Sequence, residues 1–145
     1  MAESPVQTYA NHRRFDPWYH FFAVPVLGIA VLVQLWHAIK EPSGWTIWET
    51  FVAAALVVLA LKARVFALRA QDRIIRLEER LRLAALLQEP LRSRSAALST
   101  GQLIGLRFAS DAEVPGLVEA ALDENLTGEA IKKRIQSWKG DFQRV

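Results

Sequence analysis

Two long apolar runs between Trp18 and Leu61 limit what this chain can become more than any other feature. The first, WYHFFAVPVLGIAVLVQLWHAI from Trp18 to Ile39, contains no Asp, Glu, Lys or Arg. Wound as a helix it is long enough to cross about 30 Å of hydrocarbon. The second, from Trp45 to Leu61 with the core FVAAALVVLAL, is shorter and carries Glu49 near its start. Its helix must therefore borrow residues beyond Lys62 to cross. The pattern predicts an all-α chain built on a transmembrane hairpin over 17–68, with spans at about 18–39 and 46–68. A cleavable leader is the rival reading. The apolar stretch is too long for one, and no small-residue cleavage site follows between Gln34 and Lys40.

Aromatic residues with a polar tip favour the headgroup level, so Trp18, Tyr19 and Trp36, with Trp45 and Trp48 at the turn, are expected at the membrane interfaces. Asp16-Pro17 reads as a helix start, and Thr46 with Glu49 as a capping box for the second helix. Pro25 and Gly28 fall mid-span, where a proline bends a helix that its neighbours tolerate. The residues before the hairpin, 1–16, are polar and aperiodic and are expected to form an extended or disordered tail. The turn at 40–44 holds one lysine, whereas Arg13 and Arg14 share a side with Lys62, Arg64, Arg69, Arg73 and Arg76. That bias places both termini in the cytoplasm, as for a bacterial inner-membrane protein.

Charge is unevenly spread, and the unevenness locates it. From Lys62 to Arg94 nine basic residues stand against four acidic ones, whereas from Ser99 onward six basic residues meet seven acidic. The excess belongs beside the membrane, and Lys62, Arg64, Arg69 and Arg73 are expected to meet anionic lipid headgroups. Arg80, further out, is expected in solvent.

No helix breaker occurs between Thr46 and Glu89, so the second span should continue as an extension helix over 69–90, stopped at Pro90. Along it Ala67, Ala70, Ile74, Leu77, Leu81 and Ala84 alternate at spacings of three and four. This is the seam of a coiled coil or of a helix packing on a partner; at under three heptads it is too short to assert a stable coiled coil, and a helix lying on its own C-terminal domain explains it equally well. Asp72, Glu78 and Glu79 sit where they can pair with the neighbouring arginines. A linker is expected over 91–98, and a small three-helix domain over 99–145. Its helix starts are a Ser99–Gln102 capping box, a Ser110–Glu113 box and a Thr127 cap. The third helix is read through Ile131, Ile135, Trp138 and Phe142.

The chain has no cysteine, which removes disulfides, thiolate metal sites and iron–sulfur clusters. Nor is there a phosphate-binding glycine loop, a Ser-His-Asp set or a cluster with metal-ligand spacing. The reading is non-enzymatic, without cofactor. His20 and His37 fall near opposite ends of one span, about 25 Å apart, and cannot share a ligand within one chain. An axial contact from His37 to a haem or pigment is one alternative. Its Trp36 neighbour resembles the single-span light-harvesting polypeptides, but Val33 replaces the alanine of their pattern. Lys132-Lys133-Arg134 could belong to a recognition helix, but a nearly neutral domain argues against nucleic acid.

The segments Gln102-Leu103-Ile104-Gly105-Leu106-Arg107-Phe108-Ala109-Ser110-Asp111 and Ile131-Lys132-Lys133-Arg134-Ile135-Gln136-Ser137-Trp138, with Asp141 and Arg144, resemble an uncharacterised bacterial family of short membrane proteins. That resemblance implies a two-span hairpin with a soluble helical tail and carries a domain-of-unknown-function label, so it implies no activity. Function is therefore expected from architecture: an accessory or scaffold subunit of a larger membrane complex, respiratory or photosynthetic, with the bilayer and other membrane subunits as partners. Its docking residues would be Ile74, Leu77, Leu81, Arg107, Trp138 and Arg144. A self-associating homo-oligomer or small pore, using Ala53, Ala54, Ala55 and the heptad seam, is the other architectural reading.

Overall fold

Asp16 begins the first helix: its carboxylate accepts from the Tyr19 amide at 2.9 Å and its carbonyl from the His20 amide at 2.9 Å. With Pro17 next, where a missing amide costs nothing, this is the start that the sequence predicts. The computed structural model describes residues 7–10 and 16–141. Helix α1 (Trp18–Lys40) opens with a π-wound segment, Trp18–Ala23, before continuing as an α-helix. The Val24 amide donates to the Tyr19 carbonyl, five residues back. Pro25 follows at once; its ring would press on the carbonyl four residues behind it, and a wider turn there gives it room. Proline thus changes the winding at the start of α1.

Helix α2 runs unbroken from Gly44 to Leu86, 43 residues. Its cap is not the expected Thr46–Glu49 pair. The Thr46 amide donates to the Ser43 hydroxyl at 3.1 Å, and the Ser43 amide to the Thr46 hydroxyl at 3.0 Å. The reciprocal box lies three residues earlier, because the chain turns into helix directly after Pro42 and the first free amides are those near Ser43.

The chain divides into two compact units, which among the described residues are 16–68 and 69–141 with 7–10. In the first, α1 and the start of α2 form an antiparallel hairpin. The Tyr19 hydroxyl donates to the Ala60 carbonyl at 3.0 Å, and the Arg64 guanidinium lies 6.0 Å from the Tyr19 ring centroid. No residue of α1 is buried.

The second unit is organised inward. After α2 come a short helix α3 (Leu91–Arg94) and a 3-10 turn, Ser95–Ala97, so the segment expected as a linker is wound. Then come α4 (Thr100–Leu106), α5 (Val114–Asp123) and α6 (Gly128–Arg134). Their apolar faces meet Leu83 of α2 and Leu87 just beyond its end in one core containing Leu98, Leu103, Leu106, Phe108, Val118 and Ile131. The Ser99–Gln102 capping box is present, and Thr127 accepts from the Ala130 amide at 3.1 Å. Gln102 does more than cap: its side-chain amide donates to the carbonyls of Ala121 and Leu126, tying α4 to the end of α5.

Helices α4 and α6 cross at backbone distance. A Cβ on Gly128 would stand 2.1 Å from the Gly101 carbonyl oxygen, and one on Gly105 would stand 2.7 Å from that of Gly128. Only hydrogen fits between them.

Two expected helix features are absent. Ser110 does not cap α5; its carbonyl, not its hydroxyl, accepts from Glu113 and Val114. Glu113 turns away to accept from the Ser137 amide at 2.8 Å. Helix α6 stops at Arg134, and Ile135 is extended, with φ −67° and ψ 125°. Trp138 therefore forms an antiparallel bridge with Ala109, with Ser110 donating to the Ser137 carbonyl and Lys139 to that of Phe108. An extended return puts Ile135 and Trp138 on the core where another helical turn would carry them past it. Among the described residues this bridge is the sole β feature of an all-α fold.

Candidate functional site

In the 69–141 unit, α2 has two different faces. Ile75, Glu79 and Leu83 are buried, as is Leu87 just past the helix end. Roughly opposite them, Ile74, Leu77 and Leu81 are 57%, 61% and 66% exposed, with Ala70 and Ala84 exposed on the same seam. The C-terminal helices thus take the polar-flanked face of α2 and leave the regular apolar seam uncovered.

Arg82 holds the packed face together. Its guanidinium donates to Asp111 Oδ1 at 2.8 Å, to the Ala109 carbonyl at 2.7 Å and to Glu79 Oε2 at 3.3 Å. Glu79 is buried, and burial raises its carboxyl above the ordinary value of 4.5, opposed by the charge and hydrogen bond of Arg82. The same arginine holds Asp111 below its ordinary value. Among the described residues, Glu79 is the one acid of the expected Asp72, Glu78 and Glu79 set that forms a helical ion pair.

Of the expected docking residues, Arg107 points inward. Its side chain is 8% exposed and meets Asp141 at 3.1 Å, with its guanidinium 4.6 Å from the Phe108 ring centroid. Trp138 is half-buried against Phe108, ring centroids 5.0 Å apart. Arg144 lies outside the described residues, as do Phe142, His12, Arg13 and Arg14. From the expected tail, residues 7–10 are described and touch this unit: the Tyr9 hydroxyl donates to Glu129 at 2.7 Å and Gln7 accepts from the Asp141 amide at 2.8 Å. Sequence periodicity offered no signal for either contact, nor for Arg82, which reads locally as one more surface arginine.

In the hairpin unit Trp18, Trp36, Trp45 and Trp48 are all exposed, at 58% or more. Tyr19 is half-buried under Arg64; Lys62 is exposed, as are Arg69 and Arg73 in the other unit. His37 is exposed with its ring 5.1 Å from that of Trp36, and His20 bonds the Asp16 carbonyl through Nδ1 at 2.8 Å. Among the described residues no group of acids and histidines is placed to hold a metal ion.

These features define a class: an all-helical protein with two helices long and apolar enough to cross a membrane and a small packed helical unit. The chain belongs to the family of unknown function DUF6526, which matches it over residues 1–145. No curated protein and no solved structure matches it.

Proposed function

We propose that this protein is a non-enzymatic membrane anchor and scaffold, an accessory subunit that holds a small helical module at the cytoplasmic face of a bacterial inner membrane. The hairpin is its transmembrane part, both termini are cytoplasmic, and the module meets other subunits of a larger complex of respiratory or photosynthetic type. One observation carries the reading: α1 is apolar all round and buries none of its residues, with Ile29 60%, Leu32 66% and Trp36 58% exposed. A helix of that composition is covered by hydrocarbon in a membrane or by the core of a larger protein, and among the described residues none of α1 is buried. The exposed tryptophans at both ends of α1 and at the start of α2 agree with headgroup contact, and Lys62 and Arg64 with anionic lipid.

Alkaline extraction of membranes tests the anchor, and the chain is expected to stay in the pellet; release into the supernatant refutes it. Isolation from native membranes in mild detergent tests the accessory role. Companion polypeptides at fixed stoichiometry are expected, and a chain that is recovered alone refutes that part.

A further inference from the structure

The apolar seam of α2 repeats at coiled-coil spacing over just under three heptads, and we propose that a second copy of this chain, parallel and in register, covers it. Ala67, Ile74 and Leu81 occupy one core position of the heptad and Ala70, Leu77 and Ala84 the other. Within that seam the two large consecutive core residues are a β-branched Ile74 and a Leu77, the order that favours two strands over three or four. The helix is continuous from Gly44 to Leu86, and among the described residues the C-terminal helices pack on its opposite side and leave Ile74, Leu77 and Leu81 exposed, while Arg80 at the flank donates to the Ala96 carbonyl at 3.4 Å.

The flanking charges choose between partners and between orientations. Arg73 precedes the Ile74 core position and Glu78 follows that of Leu77, both exposed. In a parallel, in-register pair each flanking residue of the first kind faces the residue five positions later on the other helix. Arg73 of one copy therefore meets the Glu78 carboxylate of the other, and by symmetry the contact is made twice. Arg80 faces Ala85 in the same way and meets no like charge. An antiparallel pair instead sets the Arg73 and Arg80 positions against one another, arginine on arginine. Complementarity thus selects a parallel copy of the same sequence.

This goes beyond the anchoring reading and does not need it, although two anchors in one membrane would already be parallel. The absence of cysteine makes the test clean, because one introduced thiol is the only thiol present. The full-length chain in mild detergent, carrying Ile74→Cys, Leu77→Cys or Leu81→Cys, is expected to form a disulfide-linked adduct of twice the chain mass on mild oxidation. Arg76→Cys, exposed but off the seam, is expected to form little. Arg73→Glu in the Leu77→Cys background should lower the adduct by about tenfold by placing two carboxylates together, and adding Glu78→Arg should restore it. Adducts at only one seam position, equal linking at Arg76→Cys, an adduct with a different polypeptide, or a yield indifferent to the charge swap each overturns the proposal. Self-adducts in a preparation without companions support it while removing the accessory-subunit reading. Companions without self-adducts do the reverse.

Discussion

The hairpin of residues 16–68 and the packed unit of 69–141 are both helical, yet they dispose of their apolar side chains in opposite ways. In the hairpin, Trp18, Phe21, Leu32, Trp36 and Phe51 stand half to three-quarters exposed. In the packed unit Leu103, Leu106, Phe108, Val118 and Ile131 have no exposed surface at all. What separates them is how apolar residues are distributed around each helix. A helix with a single apolar stripe can be satisfied by neighbours in its own chain, whereas one that is apolar on every side needs an apolar surrounding it cannot make for itself. The end of α2 stands between the two cases: one face satisfied by the core, the other bare.

The contrast is broken most severely in the core. Replacing Phe108 by Ala removes the ring packed between Trp138 and the Arg107 guanidinium, and about 4 kcal/mol of stability in the packed unit should be lost. Chemical denaturation followed by tryptophan fluorescence reads it. A comparable effect of opposite logic is expected in the hairpin. Leu32→Arg, at a site 66% exposed, would be nearly neutral in water, but costs about 3 kcal/mol mid-span in a bilayer. The fraction of chain recovered in membranes measures it, and unchanged recovery would place α1 in water after all.

Smaller effects sharpen the polar side of the packed unit. Arg82→Ala strips Glu79 of its cation and the Ala109 carbonyl of a donor, for a loss of about 2 kcal/mol by thermal or denaturant unfolding. Glu79 itself should leave a signature in pH dependence. Its folded carboxyl titrates above the ordinary 4.5, so its contribution is fully present below that value and fades as pH rises through the raised one. Asp111, Glu89 and Glu124, all lowered, act the other way and withdraw stability as pH falls through their folded values. Stability profiles of wild type and Glu79→Gln across the acid range should therefore converge at low pH relative to Glu79's own effect and separate as pH rises, with the variant gaining. Parallel profiles would mean that Glu79 is not held in a desolvating site.

Much of this protein is legible residue by residue. Asp16-Pro17, the Ser99–Gln102 box and the Thr127 cap are local chemistry, in which a side chain three residues from an unpaired amide is positioned by the chain itself. The same locality explains the misreadings. Ser43 and Thr46 compete with Thr46 and Glu49 for one helix end, and a spacing rule cannot tell which amides will be free. Ile135 and Trp138 continue a helical spacing by coincidence; their side chains reach the core from non-helical backbone, and what draws them there is Phe108 and Ala109, more than 25 residues earlier in the chain.

By itself the sequence determined the long unbroken α2, the all-round apolar character of α1 and the heptad seam, because each follows from composition and period along one stretch of backbone. Only the tertiary structure decided which side of α2 the C-terminal helices would take. That choice turns on the Arg82 contacts to Asp111 and Ala109, the glycine crossing of α4 on α6 and the Ala109–Trp138 bridge. All three join residues distant in sequence, and burial energy depends on which surfaces meet, a quantity that no local pattern contains.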